Sequence, residues 1–305
     1  MDQEKISIIQ NDNYETILYP KYCNFTSPIG SVLVFHGMAE HHARYYDFAD
    51  DLNSKHYDVY LYDHRGHGTE QKLEDLGFFS EKEGWQRVLL DALEVINYLK
   101  KHNRCKKLFL FGHSMGSLIL RNVIQYYDNI DGVIICGTTF PSPMRSFMGS
   151  LVAGTSRRFF GARHRAKIID ALLFGGKQYK QFCDRTTFDW LSRNNLSNGI
   201  YINDPYCGFI CTSSFYCDLI KLASNASKQS LIQKTRTDLP IFIISGTHDP
   251  VGNCGKEVTS YFQLLQRLGF KSVECILYEE GRHELLNELN RTQIIEDIFN
   301  WLFKH

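Results

Sequence analysis

Short apolar runs alternate along this chain with longer segments that have the period of an amphipathic helix. Six such runs are rich in Val, Ile, Leu and Phe and lie at residues 32–35, 59–62, 108–111, 133–136, 241–244 and 273–278. Near-continuous apolarity over so short a length is typical of strands covered on both faces. Helical segments lie between them, at residues 45–55, 85–102, 114–127, 256–268 and 284–303. The alternation predicts a doubly wound, mostly parallel α/β sheet.

Two further features complete this prediction. Residues 6–9 and 15–19 indicate an antiparallel hairpin at one edge, which brings the sheet to eight strands. Between residues 141 and 232 the alternation of strands and helices stops, and a structureless loop of that length is implausible inside a compact domain. We therefore expect a helical cap at residues 141–232, inserted between the sixth and seventh strands. The α/β core would then comprise residues 1–140 and 233–305.

Composition excludes several classes of protein. The 34 basic and 34 acidic side chains balance, so nothing favours nucleic-acid binding. The nine cysteines include no CxxC pair, which argues against a zinc ribbon and for free thiols in a reducing compartment. The first five residues carry charges of both signs, and no run of about 18 apolar residues follows. These features predict a cytoplasmic protein without a signal peptide or a membrane span.

The motif Gly-His-Ser-Met-Gly at residues 112–116 directly follows the strand at 108–111 and opens the next helix. A serine in this context lies on a turn so tight that the residues two positions away on each side must lack side chains. Gly112 and Gly116 meet that requirement. Such a strand-turn-helix elbow holds the nucleophile of α/β-hydrolases, so we predict that Ser114 is a catalytic nucleophile.

A serine hydroxyl needs a base that takes its proton and an acid that orients the base. In α/β-hydrolases both follow the serine in the chain, the acid first and the histidine second. Asp249 follows the strand at 241–244, and His283 follows the strand at 273–278. Because ligand sites of open α/β sheets lie at the carboxyl ends of the strands, we expect Ser114, Asp249 and His283 to converge there.

Two alternatives to this triad are weaker. His248 adjoins Asp249 but precedes the last strand, which breaks the expected order of acid and base. Some hydrolases place the acid after the sixth strand, where this chain has residues 137–139, Gly-Thr-Thr, and no carboxylate. A structural or lining role is expected for the other histidines beside strand ends, His36, His64, His67 and His113.

Stabilisation of a tetrahedral intermediate requires two backbone N–H groups directed at its oxyanion. The N–H of Met115, at the start of the helix after Ser114, is one predicted donor and gains from the helix dipole. The second donor is expected in the loop after the third strand, and Met38, directly after His36-Gly37, is the best candidate.

Five ordered segments of this chain resemble one branch of the α/β-hydrolases. They lie at residues 36–45, 63–68, 112–116, 246–251 and 283–284. The branch contains the monoacylglycerol lipases and lysophospholipases and is also described as serine aminopeptidase S33 or hydrolase-4. The resemblance implies a triad at Ser114, Asp249 and His283 and oxyanion donors at Met38 and Met115.

The resemblance also has departures and further implications. Ser117 stands where the family usually has a second glycine after the elbow, and Thr69-Glu70 stands where a serine is usual. These departures affect helix packing and subfamily rather than the triad. A bracing role for the loop that carries Met38 is expected of Glu40, His41 and Arg44.

These features together predict a serine carboxylic-ester hydrolase that acts on single-acyl lipids, as a monoacylglycerol lipase or lysophospholipase does. The reaction would proceed through an acyl-enzyme with no metal and no organic cofactor. Three alternatives remain open: an esterase for small soluble esters, a peptidase of the same superfamily, and a non-catalytic binding module on the same scaffold.

The expected cap carries a strong charge bias. Residues 141–232 contain twelve basic and five acidic side chains, a net charge of +7 that leaves −7 on the remainder. Basic residues there alternate with apolar ones, at Phe147, Met148, Leu151, Phe159 and Phe160. This pattern suits peripheral contact with an anionic membrane from which a lipid substrate is taken. The alternative is a solvated charged surface over aromatics that form the core of the cap.

Overall fold

The computed structural model describes residues 4–10 and 12–305. Its sheet consists of strands β1 (Ile6–Ile9), β2 (Glu15–Lys21), β3 (Gly30–Phe35), β4 (Tyr57–Tyr62), β5 (Leu108–His113), β6 (Gly132–Cys136), β7 (Ile241–Gly246) and β8 (Val273–Tyr278). Their spatial order is β1-β2-β4-β3-β5-β6-β7-β8. The pairs β1–β2 and β2–β4 are antiparallel, and every other pair is parallel. The predicted eight-stranded sheet and its N-terminal hairpin are therefore confirmed.

Eleven α-helices accompany this sheet in the described part of the chain. They are α1 (Tyr46–Ser54), α2 (Gly84–His102), α3 (Met115–Val123), α4 (Pro143–Phe160), α5 (Lys167–Phe174), α6 (Lys177–Lys180), α7 (Asn195–Asn203), α8 (Ser213–Ser227), α9 (Gln229–Ile232), α10 (Lys256–Arg267) and α11 (Arg291–Lys304).

The helices cover both faces of the sheet because side chains alternate along each strand. In the central strand β5, Leu108 and Leu110 belong to the core cluster that includes α2, α3 and α10. Phe109 and Phe111 point to the other face, where α1 and α11 pack. A strand that is buried on both faces must be apolar throughout, which is why the strands were visible in the sequence.

The last predicted helix differs from the structure. Residues 284–303 were expected to form one helix, but a 3₁₀ turn at Leu285–Asn287 comes first and α11 begins only at Arg291. The carboxylate of Glu288, at the break, accepts hydrogen bonds from the backbone N–H groups of Arg193 and Arg282, each at 3.0 Å. These tertiary contacts hold the segment in a non-helical path that helix propensity does not reveal.

Helices α4 to α9 all lie between β6 and β7, within residues 141–232. The α4 helix begins where Ser142 accepts a hydrogen bond from the backbone of Arg145 and Pro143 occupies the first turn. It packs against α8, where Gly149 lies against Ile220.

The apolar side chains of α4 are directed away from the protein. Met144, Phe147, Met148 and Leu151 recur at helical spacing and are exposed, whereas the buried positions are Ser146 and Ala153. Phe159 and Phe160, at the end of α4, are 75% and 64% exposed. The alternative in which these aromatics form the core of a cap is therefore wrong.

No helix in residues 4–10 and 12–305 is at once long enough and apolar enough to cross a bilayer. Residues 1–3 of the charged N-terminal stretch lie outside the described residues.

Candidate active site

Ser114 lies between the last residue of β5 and the first residue of α3. Its backbone has φ 53° and ψ −118°, a strained conformation for a residue with a side chain. A Cβ at Gly116 would overlap the carbonyl oxygen of Phe35, and one at Gly112 would lie 2.8 Å from the carbonyl oxygen of Gly116. The two glycines therefore allow the tight turn that leaves Ser114 only half-buried.

The departure at Ser117 has a structural explanation. Its hydroxyl donates to the carbonyl oxygen of Ser114 at 2.5 Å and lies 2.8 Å from the hydroxyl of Thr138. Ser117 is completely buried, so these contacts satisfy a polar group inside the protein. A side chain at this position thus supports the elbow and links it to the loop after β6.

Asp249 and His283 lie together in the loops after β7 and β8. The Nδ1 atom of His283 is 3.0 Å from Oδ1 and 3.1 Å from Oδ2 of Asp249. Asp249 is fully buried, and it also accepts hydrogen bonds from the backbone of Val251 and the hydroxyl of Ser245. With Nδ1 bonded to the carboxylate, Nε2 of His283 is left to act as a base. His283 and Ser114 line the same cavity.

His248 does not share this arrangement. Its ring stacks on Phe182 with the centroids 5.2 Å apart, and its side chain makes no hydrogen bond to Asp249 among the described residues. The loop after β6 lies directly against the other histidine, because a Cβ at Gly137 would be 3.2 Å from Cε1 of His283. The loop after β6 therefore makes room for the ring of His283 and supplies no carboxylate.

The two predicted oxyanion donors border the same serine. Met115 is the first residue of α3, Met38 follows Gly37 in the loop after β3, and both residues line a cavity with Ser114. In the described part of the chain, the backbone N–H groups of Met38 and Met115 donate to no protein acceptor. Free N–H groups beside a nucleophile are what an oxyanion hole requires.

A buried network holds this loop in place. Glu40 accepts hydrogen bonds from the backbone of Gly37 at 2.5 Å and from the hydroxyl of Tyr45 at 2.8 Å. Arg44 bonds Glu40 at 2.7 Å and makes a two-pronged pair with Glu284 at 2.6 and 2.7 Å. Because Glu284 directly follows His283, one arginine connects the loop of Met38 to the loop of the predicted base. Glu40 and Arg44 thus have the predicted bracing contacts, whereas His41 bonds Asp204 instead.

His113 joins the same network from the elbow. Its Nδ1 lies 3.1 Å from Glu40, and its Nε2 lies 3.3 Å from the carbonyl oxygen of His283. Burial would lower the pKa of His113, but the bond to Glu40 outweighs this effect and raises the pKa. Burial would likewise raise the pKa of Glu40, but Arg44 and His113 hold it well below its usual range. The network therefore places the carboxylates of Glu40 and Glu284 around the guanidinium of Arg44, with His113 bonded to Glu40.

In three other buried histidines the pKa is shifted in the opposite direction to that of His113. Burial lowers the pKa of His36 and His64, and it lowers the pKa of His67 to about 3. Neutral His36 donates from Nδ1 to the carbonyl oxygen of Gly37 and accepts the backbone N–H of His64 at Nε2. This ring fixes the start of the Met38 loop to the end of β4. The structural role expected of these histidines is consistent with these bonds.

Two cavities meet at Ser114, and Met38 and Phe174 line both. The first, about 130 Å³, lies between α3, α4, α5 and α8 and is lined mainly by apolar groups such as Leu118 and Ile220. The second, about 320 Å³, is lined by His283 and by polar and aromatic groups from residues 141–232.

Sequence reasoning missed two residues of the second cavity. The ring of Trp190 packs on that of His283 with the centroids 5.3 Å apart, and Asp170 of α5 lines the same cavity. Neither residue lies in a motif, and no periodic pattern in residues 141–232 distinguishes them from the other aromatic and acidic residues there.

One group of possible metal ligands lies in the described residues, formed by His41, Asp204 and Cys207. The backbone N–H of Ala43 donates to Nδ1 of His41, so the ring proton resides on Nε2 and is donated to Asp204 at 2.8 Å. A metal at Nε2 would displace that proton to Nδ1, against the N–H of Ala43. The cluster is therefore explained by its hydrogen bonds.

The family profile described as "Serine aminopeptidase, S33" (Hydrolase_4) matches residues 26–290. The chain belongs to this family. A putative monoglyceride lipase of Schizosaccharomyces pombe is 34% identical to this hydrolase over 287 residues, which cover 91% of this chain and 68% of that protein. A monoglyceride lipase homolog of monkeypox virus is 22% identical, with coverage of 92% and 94%.

Solved structures share this fold. A thermostable carboxyl esterase from Bacillus coagulans superposes with a TM-score of 0.89 at 23% identity, covering 100% of this chain and 99% of that one. A monoglyceride lipase variant from Saccharomyces cerevisiae superposes with a TM-score of 0.76 at 19% identity, covering 99% and 97%. The predicted family and fold are confirmed, and with them the prediction that this hydrolase is an ester-hydrolysing enzyme.

Proposed function

We propose that this hydrolase cleaves the carboxylic ester of single-acyl lipids, monoacylglycerols or lysophospholipids, with Ser114 as nucleophile, His283 as base and Asp249 as the orienting acid. The observation that carries the proposal is the arrangement of a half-buried serine on a strained turn beside a histidine whose other ring nitrogen faces a buried carboxylate. That arrangement has the chemical roles of a serine hydrolase triad.

The proposed reaction has two halves. Oγ of Ser114 attacks the ester carbonyl while Nε2 of His283 takes its proton, and the N–H groups of Met38 and Met115 bind the oxyanion. His283 then returns the proton to the departing alcohol, which leaves an acyl-enzyme. Water attacks the acyl-enzyme by the same route, releasing the fatty acid and restoring Ser114.

The two cavities fit the two parts of such a substrate. The departing alcohol must lie beside the histidine that protonates it, and only the second of these two cavities is lined by His283. The apolar first cavity then takes the acyl chain. A small soluble ester has no long acyl chain to fill this apolar cavity, so the cavity favours a lipid as the substrate.

The relatives support this choice of substrate, since the proteins from Schizosaccharomyces pombe and monkeypox virus are both named for monoglyceride hydrolysis. One similar structure is a carboxyl esterase and the family is described as a serine aminopeptidase. The experiment below therefore also includes a short ester and a peptide.

The test is a hydrolysis panel of monoacylglycerols, lysophospholipids, short-chain esters and a peptide amide, with Ser114→Ala as the blank. We expect monoacylglycerol or lysophospholipid hydrolysis to exceed that of short esters, and Ser114→Ala to lose about 10³-fold or more in kcat. Labelling by a fluorophosphonate should disappear in the same variant. A steep preference for short chains, or activity that survives in Ser114→Ala, would contradict the proposal.

We further propose that residues 141–232 form a cap over the core of residues 1–140 and 233–305 and that this cap contacts a membrane surface. The exposed stripe of Met144, Phe147, Met148 and Leu151 supports this proposal, because it lies on α4, the helix whose other residues line the apolar cavity.

Charge has a smaller part in this contact than the net charge of +7 predicts. Arg145 is paired with Glu257, and Arg163 is paired with Asp75 and Glu81. Arg158 and Lys167 form no ion pair with the described residues and remain for lipid headgroups.

Co-sedimentation with phosphatidylcholine vesicles, with and without phosphatidylserine, tests this contact. The double variant Phe147→Asp and Leu151→Asp should lose about tenfold or more in vesicle binding, since it places charges in the apolar stripe. Phe303→Asp, which changes an equally exposed aromatic on α11, should bind like the unaltered protein. Equal binding to neutral and anionic vesicles at low salt would show that electrostatic attraction does not contribute to the contact.

A further inference from the structure

The second cavity has an unusual charge distribution. Three carboxylates line it, those of Glu40, Glu284 and Asp170, and no lysine or arginine of the described chain does. Glu40 and Glu284 are already matched by Arg44, which lies behind the cavity wall. Asp170 is the carboxylate that remains without a cation.

The surroundings of Asp170 confirm this isolation. Its Oδ1 accepts a hydrogen bond from the hydroxyl of Tyr216 at 2.6 Å, and the described residues give it no ion pair and no other side-chain hydrogen bond. Burial raises the pKa of Asp170, as expected for a carboxyl group that has only a neutral partner. Its position in the first turn of α5 is a favourable one for negative charge.

We propose that Asp170 determines which alcohol portion of the ester the enzyme accepts, by repelling leaving groups that carry negative charge and attracting those with hydroxyl or ammonium donors. This proposal rests on the proposed function, in which the alcohol occupies the cavity beside His283. A phosphate in that cavity would face an unpaired carboxylate and meet no lysine or arginine. A hydroxyl or ammonium group would give Asp170 a hydrogen-bond donor in addition to Tyr216.

The aromatic lining supports the same selection. Phe188, Trp190 and Tyr201 line the cavity with Asp170, and aromatic faces attract cations and tolerate neutral groups but give nothing to an anion. Of the two substrate classes left open by the sequence, the neutral monoacylglycerols therefore fit this cavity better than lysophospholipids that carry a negative phosphate.

A series of esters with one acyl chain and three leaving groups tests the proposal. The substrates are decanoylcholine, 1-decanoylglycerol and 1-decanoylglycerol 3-phosphate, whose leaving groups are cationic, neutral and anionic. We expect kcat/KM of the unaltered enzyme to be lowest for the phosphate ester. In Asp170→Asn the ratio of kcat/KM for the choline ester to that for the phosphate ester should fall about tenfold, because the charge is lost while the shape is kept.

Two variants separate charge from structure. Asp170→Glu keeps the charge and should retain the preference, whereas Asp184→Asn, at an exposed acid elsewhere in residues 141–232, should leave it unchanged. A ratio that changes by less than about twofold in Asp170→Asn would overturn the proposal. So would hydrolysis of the phosphate ester by the unaltered enzyme at the rate of the choline ester, a result that requires no variant to fold.

The same experiment distinguishes this proposal from the proposed function. If Ser114→Ala abolishes hydrolysis of all three esters, the triad stands whatever Asp170 does. If Ser114→Ala retains activity, the proposed function fails before the selectivity is considered. Fluorophosphonate labelling of Asp170→Asn shows whether its active site is intact.

Discussion

Helices α3 and α4 follow neighbouring strands of the same sheet, yet they are built on opposite principles. All nine residues of α3 are buried, and its glycine approaches the backbone of β3 so closely that no side chain fits. Of the eighteen residues of α4 only Ser146 and Ala153 are buried, and its large apolar side chains face outward. The first helix is thus specified by contacts within the protein.

The second helix cannot be explained in that way. An apolar stripe that faces water costs free energy, and the small residues on the inner face of α4 add little burial to offset it. Such an arrangement is typical of a surface that meets another apolar phase. The contrast supports the proposed contact of α4 with a membrane surface.

Glycine substitutions in α3 and α4 should give the largest difference in the free energy of unfolding between the two helices. Gly116→Ala in α3 would place a Cβ against the carbonyl oxygen of Phe35 in a central strand. We expect a loss of about 4 kcal/mol or more in the free energy of unfolding, measured by urea denaturation, because the backbone of a buried strand cannot move aside.

The matched control is Gly154→Ala in α4, where a Cβ would meet nothing within 4 Å. Alanine is the better helix former, so this variant should gain about 0.5–1 kcal/mol. Equal effects at the two positions would show that the two helices are not packed differently.

The network behind the active site gives the second largest effect. Glu284→Gln removes the charge that faces Arg44 and should cost about 3 kcal/mol, since it leaves a buried arginine with Glu40 as its remaining carboxylate. Because Glu284 is adjacent to His283, kcat should fall as well, and both can be measured on one preparation.

Glu274→Gln is the control for this variant. Glu274 pairs with Lys304 at an exposed edge, where ion pairs contribute about 0.5 kcal/mol or less. If both variants lost the same stability, the buried network would contribute no more than a surface pair.

The smallest of these effects is the loss of stability between pH 7 and pH 5. The pKa of His67 is lowered to about 3 in the folded protein, so below about pH 6.5 the unfolded chain binds a proton that the folded one does not. Stability that is present above pH 6.5 should therefore decline as the pH falls towards 3, by about 1.4 kcal/mol per pH unit for this residue.

His67→Phe removes this titration. The ring lies among Phe79, Phe209 and Phe215 and its Nε2 has no hydrogen-bond partner, so phenylalanine fits there and loses only the contact of Nδ1 with the carbonyl oxygen of Arg65 at 3.2 Å. Unfolding free energies between pH 7 and pH 5 should fall less steeply than in the unaltered protein, and an unchanged slope would show that His67 does not contribute to the acid sensitivity.

The sheet could be predicted because strands buried on both faces must be apolar, and each predicted strand lies within an observed one. The candidate triad could be chosen because chain order restricts which aspartate and histidine follow the elbow. Helix ends were less predictable: the helix expected at 114–127 ends at Val123, and Ser114 itself is not helical.

The least predictable region was residues 141–232. Its apolar side chains face outward on α4, so periodicity there does not report the position of a core. Asp170 and Trp190 reach the candidate site through the path of several short helices, and neither residue type nor spacing in the sequence records that path.

The pair between Arg44 and Glu284 joins residues 240 positions apart in the chain. A growing polypeptide completes its N-terminal strands, its elbow and its loop of Met38 long before Glu284 leaves the ribosome. Until then Arg44 has one of its two carboxylates, and the loop that it holds lacks its second anchor. The nascent chain therefore carries Ser114 through most of synthesis beside an unfinished network, and the proposed hydrolysis would begin only when the last strand docks.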